Sequence, residues 1–245
     1  MYTRYIWRFK NSIEYEYKFK GNYGAKGEKR AEKEKATPEQ IKKQNQRNRE
    51  NYLRRTMKLN FGENDYWITL KYPAGTVLDI NTVKKHIRKF LDKTRRDYKK
   101  RGQPLKYVKR VEIGKRGSPH IHILVNRIPD ADLIIRKNWE HGRVDFTLTY
   151  EAGGFKNLAE YITKPVNEEA DPEGETKAYS TSKNLVRPQP EKKIYFRRTV
   201  EKIIQDGPEP TKGFYIVPDS VVYGVNKFTG MSYLYYEEVR IKKRE

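Results

Sequence analysis

The sequence predicts an α+β fold: a ferredoxin-like (RRM-like) antiparallel sheet, with a basic helix before it and a β-hairpin extension after it. First, short apolar runs and amphipathic stretches alternate over residues 65–164 in the order β-α-β-β-α-β and then a further helix, which is the ferredoxin-like arrangement. Second, residues 37–40 (TPEQ) form a helix-start signal with a capping box. Third, residues 214–241 are tyrosine-rich and contain turn residues at 226–230.

The individual elements follow from the same patterns. Alternation of apolar and charged residues predicts an N-terminal hairpin over residues 2–20. The basic helix is expected to run from Pro38 to about Arg55. For the central region we predict strands at 65–72, 105–113, 120–126 and 143–150, and helices at 79–100, 130–139 and 154–164. A further helix is predicted at 194–205.

Composition changes along the chain predict three segments. Residues 1–60 would hold the hairpin, a mobile basic stretch at 21–36 and the basic helix. Residues 61–170 would form the central domain with the ferredoxin-like pattern. Residues 171–245 would form a polar, proline-dotted linker and the tyrosine-rich extension.

The charge of the chain indicates a polyanionic partner. Its 53 lysines and arginines exceed its 32 acidic residues, which gives a formal net charge of +21 and a pI near 9.8. Nucleic acid is the first candidate, and a basic protein that only binds nucleic acid is the simpler alternative. The absence of cysteine excludes disulfides, thiolate zinc sites and cysteine nucleophiles. No signal peptide or long apolar run is present, so we expect a cytoplasmic protein without membrane contact.

Two of the four histidines lie one residue apart in the run SPHIHILV. Side chains at i and i+2 of a strand point to the same face, so His120 and His122 share a face. Two adjacent imidazoles form a natural bidentate metal site. The alternative is a pair of partly exposed polar residues on a half-solvated sheet.

A third ligand is predicted by hairpin geometry. A three-residue loop at 115–117, with glycine last, would pair Glu112 with His120, whereas a five-residue loop would pair Glu112 with His122. Either register puts Glu112 on the histidine face. Two imidazoles and one carboxylate suit Mg²⁺ or Mn²⁺. The alternative for Glu112 is a salt bridge to a neighbouring basic residue.

The segment EYITK brings a tyrosine and a lysine together on a predicted helix. Tyr161 and Lys164 lie at i and i+3 and therefore on one face. Beside a metal-bound phosphate and an ammonium group, a tyrosine oxyanion is stabilised and can attack phosphorus. The alternative, a packing tyrosine with an exposed lysine, is the better explanation of this pair taken on its own, because the chain has 19 tyrosines and many lysines.

Basic residues of the helix and of the hairpin loop are candidates for DNA contacts. The alternative is an ordinary solvated helix face. The candidate DNA-binding residues are Lys42, Lys43, Arg47, Arg54, Arg55, Lys115 and Arg116.

The conjunction of three motifs in order, DYWITLKYP, GSPHIHILV and AEYITKP, resembles the HUH (His-hydrophobic-His) endonucleases. Within that superfamily the chain resembles the single-tyrosine rolling-circle replication initiators of phages and plasmids, and its flanking segments resemble replication proteins of Gram-positive mobile elements. The resemblance covers most of residues 37–190 and implies a bacterial host cytoplasm.

The resemblance implies a site-specific nickase and strand-joining enzyme for single-stranded or origin DNA. Tyr161 would attack the scissile phosphate, retain the 5′ end as a phosphotyrosine and free a 3′-hydroxyl. His120, His122 and Glu112 would bind Mg²⁺ or Mn²⁺, and Lys164 would position the phosphate or the tyrosine. No nucleotide-binding GxxxxGK[ST] loop is present, so a separate helicase and the host DNA polymerase would be partners.

Two alternatives stay open at this point. A mobilisation relaxase or a transposase would use the same chemistry. A non-catalytic nucleic-acid-binding protein would use the same fold, although such domains usually present aromatic residues on the central strands rather than histidines.

The position one helical turn before Tyr161 is Asn157, so the second catalytic tyrosine that some members of the resembled superfamily carry is missing.

Overall fold

The computed structural model describes residues 1–19, 36–114, 117–149, 155–165, 178–226 and 230–241. The predicted mobile stretch at 21–36 therefore lies almost wholly outside the described residues. The strands are β1 (Tyr2–Arg8), β2 (Ser12–Phe19), β3 (Tyr66–Lys71), β4 (Tyr107–Ile113), β5 (Pro119–Val125), β6 (Val144–Leu148), β7 (Ser180–Thr181), β8 (Glu191–Tyr195), β9 (Phe214–Ile216), β10 (Val222–Val225) and β11 (Ser232–Arg240). The helices are α1 (Pro38–Asn60), α2 (Ile80–Lys100), α3 (Ala131–Asn138), α4 (Lys156–Thr163) and α5 (Arg197–Asp206).

The chain divides into two compact units. One unit is Gln44–Arg187, and the other combines Met1–Lys43 with Pro188–Glu245. The first unit confirms the predicted element order, and its sheet has the strand order β6-β3-β5-β4-β7 with every pairing antiparallel. The first four strands of that order are those of a ferredoxin-like sheet, so the predicted fold class is confirmed.

Both faces of this sheet are covered. Alternate residues of β3 and β5, such as Ile68 and Ile121, pack with Val83 and Ile87 of α2 and with α3. On the opposite face, Leu124 packs with α1 and α4. The histidines lie on that second face, since strand residues alternate in direction. The site is therefore framed by α1 and α4.

Helix α1 begins as the sequence predicts. The Thr37 backbone N–H donates to Gln40 Oε1 over 2.9 Å, and the Gln40 N–H donates to Thr37 Oγ1 over 3.2 Å, which is a complete capping box. The helix continues to Asn60, past the predicted end near Arg55. Leu53 and Met57 are fully buried, so tertiary packing stabilises the additional turn.

Strands from both ends of the chain form the sheet of the other unit. The described strands follow the order β10-β11-β2-β1-β8, and β9 also pairs with β11. Both predicted hairpins, β1–β2 and β10–β11, are present. The helix predicted at 194–205 begins later, at Arg197, because Ile194 and Tyr195 pair with β1 as part of β8. Val200 of α5 is fully buried in the core below the sheet.

Among the described residues, no helix combines the length and the apolar character that a membrane span requires.

Candidate active site

The β4–β5 hairpin brings the predicted ligands onto one sheet face. Glu112 pairs with His120, as the three-residue loop predicts, and His122 pairs with Arg110. Gly117 adopts the left-handed conformation, with a φ of 76°, which closes the turn. Lys115 and Arg116 lie outside the described residues.

His122 is held on two sides. Its Nδ1 lies 3.1 Å from Thr69 Oγ1 on β3, and Trp67 stacks on its ring with centroids 5.6 Å apart. Its Nε2 lies 3.3 Å from Glu112 Oε2. Burial lowers the pKa of His122 against the opposing charge of Glu112, so the neutral imidazole is favoured. A neutral, oriented imidazole is the form that binds metal.

Glu112 lies at the centre of the site. Its Oε2 accepts a 2.7 Å hydrogen bond from the Tyr161 hydroxyl, and its Oε1 accepts a 2.7 Å hydrogen bond from Arg110 Nε. Burial raises the pKa of the Glu112 carboxyl, but the hydrogen bonds from Tyr161 and Arg110 outweigh burial and hold it below its usual value. Glu112 is therefore a carboxylate at neutral pH. The alternative of a salt bridge to a neighbouring basic residue is present in the structure, with Arg110.

Tyr161 points from α4 towards this carboxylate. Its ring stands perpendicular to the His122 ring, with centroids 5.4 Å apart, and edge-on to Trp67 at 6.1 Å. Burial raises the pKa of Tyr161, and the hydrogen bond to Glu112 raises it further. The phenol is thus held in its protonated form.

Arg110 fixes the end of the tyrosine helix. Its side chain is 6% exposed, and its guanidinium donates to the carbonyls of Ile162, over 2.9 Å, and of Lys164, both at the end of α4. The last carbonyls of a helix have no partner within it, so a buried cation satisfies them and interacts favourably with the helix dipole. One side chain therefore orients both Glu112 and Tyr161.

Two lysines border the site. Lys164 is exposed, and its Nζ lies 5.9 Å from the centroid of the Tyr161 ring, which agrees with the predicted shared face. Lys71 of β3 pairs with His120 in register, on the side away from Glu112, and forms a 2.7 Å salt bridge with Asp145. Either ammonium group is placed to contact a phosphate near the histidines.

The three predicted metal ligands are only partly brought together. His120 pairs with Glu112 in register, and its ring lies near Gly114. Within the described ranges, no three histidine or acidic side chains converge closely enough to hold an ion. His122 Nε2 and Glu112 Oε2 lie 3.3 Å apart, but His120 does not join them.

The predicted basic helix is accessible only in its first half. Lys42, Lys43 and Arg47 are exposed, whereas Arg54 and Arg55 are buried, at 7% and 9% exposure. A buried guanidinium is not available to a phosphate, so the exposed residues are the ones that can contact DNA.

Sequence reasoning missed Trp67 and Thr69, and it considered Arg110 only as one of the basic neighbours that could form a salt bridge with Glu112. The first two belong to DYWITLKYP, where alternation places Trp67, Thr69 and Lys71 on one face, and that signal was readable. Arg110 also shares a strand face with Glu112, at i and i+2. Its bonds to the carbonyls of α4 depend on tertiary packing and left no local signal.

A comparison with protein-family models found a match to the part of the chain that contains this site. Residues 65–166 match the family model of the replication-associated protein ORF2. The match covers less than half of the chain, but it runs from β3 past α4 and includes all the residues described around Glu112. The comparisons with curated proteins and with solved structures found no significant match. The central region is therefore similar to replication-associated proteins.

Proposed function

We propose that this protein is a rolling-circle replication initiator of the HUH type, which nicks and rejoins single-stranded DNA through Tyr161. The observation that carries the proposal is the 2.7 Å hydrogen bond between the Tyr161 hydroxyl and Glu112, beside His122 and on the face that holds His120. The similarity of residues 65–166 to replication-associated proteins gives this arrangement a biological context.

The donor set fits a small divalent cation. The 3.3 Å between His122 Nε2 and Glu112 Oε2 brings two donor atoms together, and the hydrogen bond between His122 Nδ1 and Thr69 Oγ1 holds the ring in place. His122, Glu112 and a rotated His120 would hold Mg²⁺ or Mn²⁺. Such an ion supplies Lewis-acid polarisation of the scissile phosphate.

The same oxygen of Glu112 faces His122 and Tyr161. With Glu112 Oε2 among the ligands of an ion, that oxygen would accept the phenolic hydrogen bond less strongly, and Tyr161 would be able to turn towards a phosphate. Lys164, whose Nζ lies 5.9 Å from the centroid of the Tyr161 ring, would favour the phenolate and contact the phosphate.

In the proposed cleavage, Tyr161 Oη loses its proton to solvent water and forms a bond to phosphorus as the bond from phosphorus to the 3′ oxygen breaks. The leaving oxygen takes the bonding electron pair and a proton from solvent water and becomes the 3′-hydroxyl, and the 5′ end stays on the protein as a phosphotyrosine. Attack by a 3′-hydroxyl on that linkage rejoins the strand. A separate helicase and a host polymerase would extend the primer.

A covalent-adduct assay tests the proposal. The protein is incubated with labelled single-stranded DNA pools and Mn²⁺, and the products are run on a denaturing gel. We expect a slowly migrating labelled band in the wild type and in the matched control Tyr72→Phe, and none in Tyr161→Phe or with EDTA. An adduct that persists in Tyr161→Phe would contradict the nucleophile. DNA binding without any adduct, on pools that include the cognate origin, would favour a non-catalytic binding protein.

A further inference from the structure

The edge strand β8 and the residues after it form an exposed basic and apolar stripe outside the region similar to replication-associated proteins. Ile194 is 65% exposed and Phe196 is 75% exposed, which is unusual for side chains of this size. Lys192 is also exposed. Side chains at i, i+2 and i+4 of an extended segment share a face, so these three residues form one row.

The backbone supports this row. β8 pairs with β1 on one side, Lys192 opposite Tyr5 and Ile194 opposite Thr3, and it is the last strand of the described sheet at that edge. Phe196 has a φ of −72° and a ψ of 152°, so the extended conformation continues up to the start of α5. The phenyl ring is thus presented at the sheet edge by a fixed segment.

The charges around the row indicate the kind of partner. Residues 191–198 (EKKIYFRR) contain four basic residues and one acid, and that acid, Glu191, is paired with Arg8 over 3.0 Å. Lys193 lies on the other face of the strand, with its Nζ 5.7 Å from the centroid of the Tyr195 ring. A row of cations next to an exposed aromatic ring complements a polyanion that also offers flat apolar surfaces.

We infer that this stripe, defined by Lys192, Ile194 and Phe196, is a second binding surface for single-stranded DNA. An aromatic side chain stacks on an unpaired base, while a lysine on the same face neutralises an adjoining phosphate. Bases in a duplex are already stacked on each other, so an exposed phenyl ring selects single strands. The inference rests on the proposed function for its partner, but it concerns a site separate from the tyrosine.

The test is fluorescence anisotropy of the full chain with a labelled oligothymidylate of about 30 nucleotides, in EDTA so that no cleavage occurs. We expect Phe196→Ala to weaken binding about tenfold and Phe196→Trp to restore it. The matched control Tyr215→Ala, which removes another half-exposed ring of the same unit, should bind as the wild type does. Thermal melts of each variant establish that the fold is kept.

Salt dependence tests Lys192 separately. In single-stranded binding each neutralised phosphate contributes about 0.7 to the slope of log affinity against log salt. Lys192→Ala should therefore reduce the slope by about 0.7, and the exposed control Lys212→Ala should leave the slope unchanged. An unchanged slope in Lys192→Ala would overturn the stripe as a phosphate contact.

The remaining outcomes distinguish failure of this inference from failure of the proposed nicking function. Binding by Phe196→Ala within about twofold of the wild type, or an equal loss for duplex and single-stranded probes, overturns the inference. If Phe196→Ala loses affinity selectively for single strands and no tyrosine adduct is ever found, the stripe stands and the proposed nicking function fails. If the adduct forms and Phe196→Ala binds normally, the nicking function stands and the stripe fails.

Discussion

The hydroxyl of Tyr161 donates a 2.7 Å hydrogen bond to the carboxylate of Glu112, although the two residues lie 49 positions apart in the chain. One residue comes from the β4–β5 hairpin and the other from α4. This contact links the β4–β5 hairpin to α4, and under the proposed function Glu112 would connect the metal site to the nucleophile.

Replacing Glu112 by glutamine tests whether the carboxylate charge is needed for adduct formation. Glu112→Gln keeps an oxygen that can accept the Tyr161 hydrogen bond but removes the charge needed to hold a cation. We expect the yield of covalent adduct to fall by about 10²-fold or more. The melting temperature should also fall, because Arg110 loses its charged partner, so the adduct is measured at a temperature where both proteins are folded. The measurement is the rate of adduct formation with Mn²⁺, with the exposed Glu63→Gln as control. An unchanged rate would remove Glu112 from the site.

Arg110 is expected to determine stability as well as geometry. Arg110→Met leaves the Glu112 carboxylate and the last carbonyls of α4 without their buried donor. Loss of one partner from a buried ion pair typically costs about 3–5 kcal/mol, and chemical denaturation should show a loss of that order. Arg110→Lys keeps the charge without the planar fork and should recover only part of the loss. Full recovery would mean that charge alone is sufficient.

The lowered pKa of His141 makes the free energy of unfolding depend on pH. Its ring stacks on His86 with centroids 3.7 Å apart. Burial lowers the pKa of His141, the His86 and lysine charges nearby lower it further, and Glu140 opposes them. Below a pH of about 6.5 the unfolded chain gains a proton that the folded chain resists, so stability falls as the pH falls.

His141→Gln isolates this contribution from that of His122, whose pKa is also lowered. We expect the variant to lose less unfolding free energy than the wild type between neutral pH and about pH 5. Denaturant titrations over that range measure the difference. Parallel pH profiles for the two proteins would contradict a lowered pKa at His141.

Gly142 is required where the chain enters β6. Its φ is 146°, and a Cβ added there would meet the carbonyl oxygen of Lys71 well inside van der Waals contact. Gly142→Ala must therefore shift the backbone, and we expect about 1–3 kcal/mol of destabilisation in urea unfolding. Gly62→Ala, where an added Cβ meets nothing within 4 Å, is the matched control. Equal stability of both variants would contradict the close approach.

Much of the fold was readable from the sequence because the apolar periodicity of the central region is strong. The alternation in DYWITLKY and HIHILV predicted β3 and β5, and the stripe of Val83 and Ile87 predicted α2. Strand β8 was missed because its residues are mostly exposed and its only signal is the pairing with β1, which lies far away in sequence.

Part of the candidate site could also be predicted from the sequence. The sequence placed Glu112 on the histidine face but left two registers open, and the structure has the one that sets Glu112 opposite His120. The contact between Glu112 and Tyr161 could not be read from spacing, because it depends on how α4 packs on the sheet. The stacking of His86 on His141 likewise joins α2 to the segment before β6, and neither stretch alone indicates it.

The central claim is that Tyr161 becomes covalently joined to DNA, and peptide mapping tests it most directly. The adduct formed with Mn²⁺ is digested with nuclease and protease, and mass spectrometry locates the residual nucleotide. We expect the phosphate on the peptide that contains Tyr161, with the 5′ end of the cleaved strand attached to it. A nucleotide found on any other residue, or a 3′ linkage, would contradict the mechanism.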